Sequence, residues 1–364
     1  MSSHESTLGA WHPRGWREKA LRYAPGHALD EDLAKAQASL ARLPGLVDLA
    51  EIQALKARLA MAGEGRVFVL QIGDAEEQFE GVLSGSALEH GKNLGAIHRY
   101  LALMLNLPVL PIGMHGGGTL HDRAAAAHDH RPDAEHMFLA YEAALQTRHT
   151  LRRDRFEPYT SRESVHLHFE EALVRRGGVD DGFYASSAHL LWLESHHQFD
   201  GSGYLEFLRG VVNPIGMRVG QHSTAEEMVR TYLLLNPARE PGKIVMATSL
   251  GEHLGVLRNL IRALRTAKAP VVWMCDPWRA HATASCGSVQ ELMQAVTSEV
   301  EHTALVHADE GSVLAGVRLD VAHETKIARQ WFGAVQRERS APHLDFLQAL
   351  HICSDLARAY GCAA

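Results

Sequence analysis

The 364-residue chain predicts an α/β fold in which short strands alternate with helices. Three observations carry this. Seven β-rich apolar runs recur along the chain, helix-length segments separate most of them, and several end on a charged residue: Asp74, Glu194, Arg218, Asp276 and Asp320. Repeated strand–helix units of this kind build a parallel sheet covered by helices. A closed (β/α)8 barrel, with its active site at the C-terminal ends of the strands, and a doubly wound open sheet both satisfy the pattern.

In chain order, residues 1–30 read as an irregular arm. Residues 31–62 read as helical, because Leu33, Leu40 and Leu43, then Leu49, Ile52, Leu55 and Leu59, fall at helical spacing. Pro44-Gly45 divides that stretch in two. The runs Arg66–Asp74, Pro108–Gly113, His189–Glu194, Ile215–Gly220, Lys243–Thr248, Val271–Asp276 and Val313–Asp320 are the predicted strands. The second leads into a glycine loop, Gly116-Gly117-Gly118, which either cradles an anion through backbone N–H groups or serves as a flexible connection. No internal repeat is present, and Ala124–Ala127 is the one low-complexity stretch.

Composition narrows the class. With 46% hydrophobic residues the chain buries a large core. A net charge of −7 speaks against a nucleic-acid partner. Cys275, Cys286, Cys353 and Cys362 are scattered without CxxC spacing, which fits a reducing compartment. The N-terminal sequence lacks the apolar core of a signal peptide, and no apolar run reaches the length of a membrane span. The expectation is a cytoplasmic protein with a small-molecule substrate and no membrane or nucleic-acid partner. Its 24 histidines mean either metal or acid–base work or a histidine-tolerant surface.

An ordered series of segments carries more. Leu70-Gln71-Ile72-Gly73-Asp74-Ala75-Glu76 resembles LQGGDCAE, and Tyr159-Thr160-Ser161 resembles the start of YTSHEAL. Ser187-Ala188-His189 through Glu194 resembles SAHMLWIGE, and Gln198–Gly201 resembles QLDG. Asn213–Gly220 resembles NPIGVKVG, and Val271–Pro277 resembles VVWxCDP. These motifs belong to the class II 3-deoxy-D-arabino-heptulosonate 7-phosphate (DAHP) synthases, and the chain resembles that family nearly end to end. The resemblance implies a (β/α)8 TIM barrel with an N-terminal helical extension, residues 1–62 forming the arm and helices and 63–364 the barrel. It also implies a homodimer or tetramer. The family's reaction condenses phosphoenolpyruvate with erythrose 4-phosphate around one divalent metal.

Followed residue by residue, the resemblance breaks at the site. The family's four metal ligands, Cys, His, Glu and Asp, fall on Ala75, Arg279, Asp320 and Ala341. Alanine has no donor atom and arginine cannot ligate a metal, so the expectation is no metal at the family position. The alternative is one divalent ion, Mn, Co or Zn, in a site rebuilt from Asp320, His281 and Asp345, joined by His115 or His121. Arg279 either replaces the ion as a fixed positive charge paired with Asp320 or fills an abandoned hole as an ordinary salt bridge. The phosphate grip changes as well. His121 and Arg123 stand where the family has its AKPRS loop, Glu194-Ser195-His196-His197-Gln198 stands where it has ERTRQ and loses both arginines, Arg218 replaces a lysine, and Ser249 replaces an arginine. His196 and His197 are either general acid–base groups or neutral lining. Glu194, Asp200 and Asp276 match the family. The candidate catalytic residues are therefore Arg279, Asp320, Glu194, Asp276, His196, His197 and His281. The candidate substrate-binding residues are Arg123, Arg218, His121, Asp200 and Ser249.

Three functions follow. One is a repurposed enzyme of specialised biosynthesis that needs no family metal and acts on a keto acid, a sugar-like or a shikimate-related compound. Another is a working 3-deoxy-7-phosphoheptulonate synthase with a relocated metal site. The third is a non-catalytic pseudoenzyme or regulatory partner.

Overall fold

The structure is a computed structural model that describes residues 10–21, 31–73, 86–114, 134–153, 156–164, 166–177, 182–282, 289–321 and 344–363. Most of the predicted arm, together with Ala75, His115, Gly116–Gly118, His121, Arg123 and Ala341, lies outside the described residues.

The strands close on themselves. Eight parallel strands pair around a ring, β1 (Phe68–Ile72), β2 (Val109–Met114), β3 (Tyr159–Glu163), β6 (Leu190–Leu193), β7 (Ile215–Gly220), β8 (Ile244–Ser249), β9 (Val272–Cys275) and β10 (Leu314–Leu319), and β10 pairs back onto β1. The open-sheet alternative is thereby excluded. All seven predicted runs are strands of this ring, each within one or two residues of its predicted ends. The eighth, β3, went unread because Tyr-Thr-Ser-Arg-Glu is polar. Its polarity has a place: Ser161 faces the barrel interior, where its hydroxyl accepts from Gln71 Nε2 at 2.9 Å. A two-stranded antiparallel hairpin, β4 (Val174–Gly177) and β5 (Gly182–Ala185), stands outside the ring and was also unread.

Period-2 alternation divides each strand between two cores. Val69, Leu110, Ile112, Leu190, Trp192, Val245, Ala247, Val272 and Met274 point inward and pack on one another. Phe68, Leu70, Leu191, Ile215, Ile244 and Val317 point outward against the helices. Gly216 is needed opposite Trp192, its register partner, since a Cβ there would lie 2.4 Å from the indole. In β10 the register shifts between Leu314 and Gly316. A bulge of this sort re-aims the residues that follow, and Arg318 ends up reaching Asp276.

The two predicted N-terminal helices are α1 (Glu31–Leu40) and α2 (Leu49–Gly63). Asp48 starts α2 with a capping box: its carboxylate accepts from Glu51 N at 2.8 Å while Glu51 accepts from Asp48 N at 3.1 Å. Leu55, Leu59 and Ala62 of α2, all at 0% exposure, belong to the same cluster as the inward strand residues. The helix lies against the segments that lead into the strands, since a Cβ at Gly63 would touch Val271 and one at Gly242 would strike the Lys56 carbonyl. Helix α2 thus closes the N-terminal end of the barrel. The other long helices are α3 (Ser86–Leu105), α4 (Ala134–Arg153), α7 (Ala225–Leu235), α8 (Leu254–Thr266), α10 (Val289–Asp309) and α11 (Phe346–Ala363). Shorter ones are α5 (Leu167–Ala172), α6 (Gly203–Leu208) and α9 (Pro277–Ala282). No helix among the described residues is long and apolar enough to cross a membrane.

Candidate active site

The strand ends converge on one guanidinium. Arg218, on the inward face of β7 and 3% exposed, lies over the Trp192 ring with its carbon 5.2 Å from the centroid. Its Nη2 donates to Glu163 Oε1 at 2.6 Å, its Nη1 to Asp276 Oδ2 at 2.8 Å and its Nε to Glu194 Oε1. These carboxylates come from the ends of β3, β6 and β9. Two further arginines complete the set: Arg318 Nη1 donates to the same Asp276 oxygen at 2.8 Å, and Arg279 Nη2 to Glu194 Oε2 at 2.7 Å. Three cations therefore face three carboxylates in a largely buried cluster. Charged groups persist in such surroundings only when paired and hydrogen-bonded.

The cluster drives two neighbouring carboxyls apart. Burial pushes Glu163 up, the Glu194 charge adds to this, and Arg218 only partly opposes it. For Glu194 burial also works upward, but Arg218 and Arg279 outweigh it and bring the group down to about 2. Two neighbouring carboxyls whose proton affinities are pushed in opposite directions are the arrangement that general acid–base chemistry uses.

Beside the cluster a cleft of 720 Å³ opens over the ends of β6, β7, β8 and β9. His196, His222, Ser249, His253, Arg279 and His281 are among its lining residues. Arg279, at the start of α9, keeps 47% of its side chain exposed. The pairing expected between Arg279 and Asp320 is not made: the Arg279 guanidinium turns to Glu194, which is nearer the barrel axis and already drawn in by Arg218. His281 Nε2 lies 2.9 Å from Glu299 Oε2, and Glu299 Oε1 accepts from Leu250 N at 2.7 Å. Asp345 serves as the N-terminal cap of α11, accepting from Gln348 N at 2.8 Å. His281 and Asp345 are thus occupied elsewhere and do not assemble a cation site with Asp320. Among the described residues no group of three His, Cys, Asp or Glu side chains is placed to hold a metal.

Other predicted residues sit apart from the cleft. Asp200 is exposed and meets Arg230 at 3.1 Å on the surface. His197 is 2% exposed and stacks on Tyr204, with ring centroids 3.8 Å apart and an 11° tilt, so it belongs to the core between β6 and α6. Burial, then the neighbouring His196, brings it down to about 4, and burial brings His307 to about 4 as well. A base held below its ordinary 6.5 binds fewer protons folded than unfolded, so its contribution is complete above about 6.5 and is lost as pH falls toward 4. Glu163 and Glu170, both raised, pull the other way. The test is therefore a difference: between pH 7 and pH 5 the urea midpoint of His197→Phe/His307→Leu is expected to fall less than that of the parent chain. Equal falls would show that neither ring titrates with unfolding.

Sequence reasoning missed Glu163, Arg318 and Glu299. For Glu163 a signal existed, since Tyr159-Thr160-Ser161-Arg162-Glu163 places a glutamate where YTSHEAL has one. For Arg318 it was a charged residue inside an otherwise apolar strand.

Comparison with known proteins agrees with this architecture. The model of the Class-II DAHP synthetase family matches residues 11–130 and 126–334. A probable phospho-2-dehydro-3-deoxyheptonate aldolase, chloroplastic, of Catharanthus roseus is 27% identical, covering 84% of this chain and 74% of its own. A phospho-2-dehydro-3-deoxyheptonate aldolase of Neurospora crassa is 24% identical, with 88% and 86% covered. A probable phospho-2-dehydro-3-deoxyheptonate aldolase of Pseudomonas fluorescens is 27% identical, with 79% and 80% covered. Among solved structures, a phospho-2-dehydro-3-deoxyheptonate aldolase from Francisella tularensis superposes with a TM-score of 0.55 at 10% identity, over 95% of this chain and 99% of that one. That likeness bears on the fold alone.

Proposed function

We propose, since this chain belongs to the class-II DAHP synthetase family, that it is an enzyme on the family's barrel that acts without the family's metal on a keto acid, a sugar-like or a shikimate-related compound in specialised biosynthesis. The observation that carries this is Arg279. It stands where the resemblance puts a metal-ligating histidine, and its guanidinium is bonded to Glu194 at 2.7 Å. A permanent cation there repels a divalent ion and offers it no lone pair. Ala75 and Ala341 remove two more donors, so the residues present do not fit the metal.

The chain's own groups supply the chemistry. Arg279 keeps free N–H donors at the cleft and stabilises negative charge on a substrate oxygen. Glu163, whose proton affinity burial raises, and Glu194, whose proton affinity Arg218 and Arg279 lower, move a proton to or from the substrate at the strand ends. Arg218 orients both. As in the family, the chain is proposed to work as a homodimer or tetramer.

A second reading, a working synthase with its metal moved elsewhere, is favoured by the names of the relatives. One experiment separates them: the protein is purified, loaded with Mn²⁺, Co²⁺ or Zn²⁺, dialysed, assayed for bound metal and then given phosphoenolpyruvate and erythrose 4-phosphate. The expected outcome is substoichiometric metal and no condensation. A tightly held equivalent of metal with turnover would establish the second reading and overturn the first.

A further inference from the structure

Three of the residues that line the cleft each carry a buried polar atom that the protein leaves without a partner. Among the described residues, Ser249 Oγ, Asp276 Oδ1 and Gln198 Oε1 are all buried and make no hydrogen bond. All three residues line the cleft. Their other atoms are committed. Asp276 Oδ2 takes both Arg218 and Arg318, and Gln198 Nε2 donates to the carbonyls of Leu193 at 3.3 Å and Arg218 at 2.9 Å. The fold therefore fixes these side chains and leaves one acceptor of each bare. A buried acceptor without a donor is destabilising, and a ligand group that fills it recovers that cost.

Their chemistry restricts what can fill them. Asp276 Oδ1 and Gln198 Oε1 only accept; Ser249 Oγ accepts or donates. Ser249 and Asp276 follow the paired residues Thr248 and Cys275 on neighbouring strands, so they stand side by side, about 4.8 Å apart in backbone spacing. Hydroxyls on adjacent carbons can reach both. An anion at this spot would meet a bare carboxylate oxygen. Arg218 is buried and already shared among three carboxylates, so its charge is largely compensated at this spot. Among the described residues that line the cleft, Arg279 is half-exposed, is bonded to Glu194 and has further N–H donors.

We infer that the cleft takes a polyhydroxylated monocarboxylate, with Arg279 holding the carboxylate and Ser249, Asp276 and Gln198 reading the hydroxyls. This deepens the function proposed above by naming the substrate class, and it rests on that reading only for the assumption that the bound compound reacts.

Calorimetry on the full-length chain tests it with four probes: quinate and gluconate, cyclohexanecarboxylate (which lacks hydroxyls), and phosphoenolpyruvate. At least one hydroxy acid is expected to bind roughly tenfold or more tighter than cyclohexanecarboxylate, from one or more newly satisfied acceptors. Ser249→Ala, a change that leaves the charge cluster intact, is expected to weaken that binding roughly fivefold to tenfold while leaving cyclohexanecarboxylate unaffected. Arg279→Gln should weaken both acids together. Phosphoenolpyruvate binding tighter than either hydroxy acid, no binding of either hydroxy acid, or indifference to Ser249→Ala would each overturn the inference. Binding as expected with no turnover would leave it standing and remove the enzymatic reading instead.

Discussion

Arg218→Met is expected to destabilise the protein by about 3–5 kcal/mol at pH 7, the cost of stripping one partner from a buried ion network. The argument is one of uncompensated charge. Arg218 is bonded to Glu163, Glu194 and Asp276 at once, and methionine fills the same stem while leaving all three carboxylates short of a cation. Arg218→Lys should recover only part of the loss, because a single ammonium cannot reproduce a planar fork aimed at three acceptors. The deficit also depends on pH. Glu194 sits at about 2 in the native protein, against about 4.3 in an unfolded chain. Between those values the unfolded chain binds more protons, so this stabilisation is complete above about 4.3 and fades as pH falls toward 2. Without Arg218 much of that contribution is gone already, and the gap between parent and variant should narrow in acid. Urea denaturation at pH 7 and at pH 4 measures both effects. A deficit under about 1 kcal/mol at pH 7, the range of an exposed pair, would mean that the network is not buried as described.

Leu59→Ala is expected to cost about 2–5 kcal/mol, the range for a leucine truncated in a tight core. Leu59 has 0% exposure and shares a cluster with Leu55, Ala62 and the inward residues of the barrel strands. It lies at the end of the barrel opposite the cleft, so the loss should appear in the urea midpoint and not in affinity for a cleft probe. A matching loss of affinity would show that the two ends are coupled. Leu305, 50% exposed on α10, provides a control: its truncation should be close to silent.

How far the sequence could be read depended on what each residue faces. Strands such as Ile244–Ser249 and Val272–Cys275 are covered on both faces, so they appear as continuous apolar runs and are found without a structure. Tyr159–Glu163 escaped because part of its inward face is polar: Ser161 meets Gln71, and Glu163 meets Arg218. The residues that hide a strand from a hydropathy reading are here the ones that build the site. The candidate residues divide similarly. Glu194, Arg218, Asp276 and Arg279 were readable one at a time, by position relative to strand ends and by resemblance. Their partnership with Glu163 and Arg318 was not, because it joins β3, β6, β7, β9, β10 and α9 across more than a hundred residues of chain. Arg279 shows the limit. Its cationic role followed from its side chain, yet its partner was misread as Asp320 because distance along the chain says nothing about which carboxylate a guanidinium can reach. His197 shows the converse, since a histidine beside a strand end resembles a proton carrier until Tyr204 is seen stacked against it.

Helix α2 has one more consequence. Leu55, Leu59 and Ala62 extend the packed interior past the strands' starting end and seal it there, which leaves the opposite end as the open face of the barrel. A compound bound in the cleft described above therefore enters and leaves on the side of the strands' C-terminal ends.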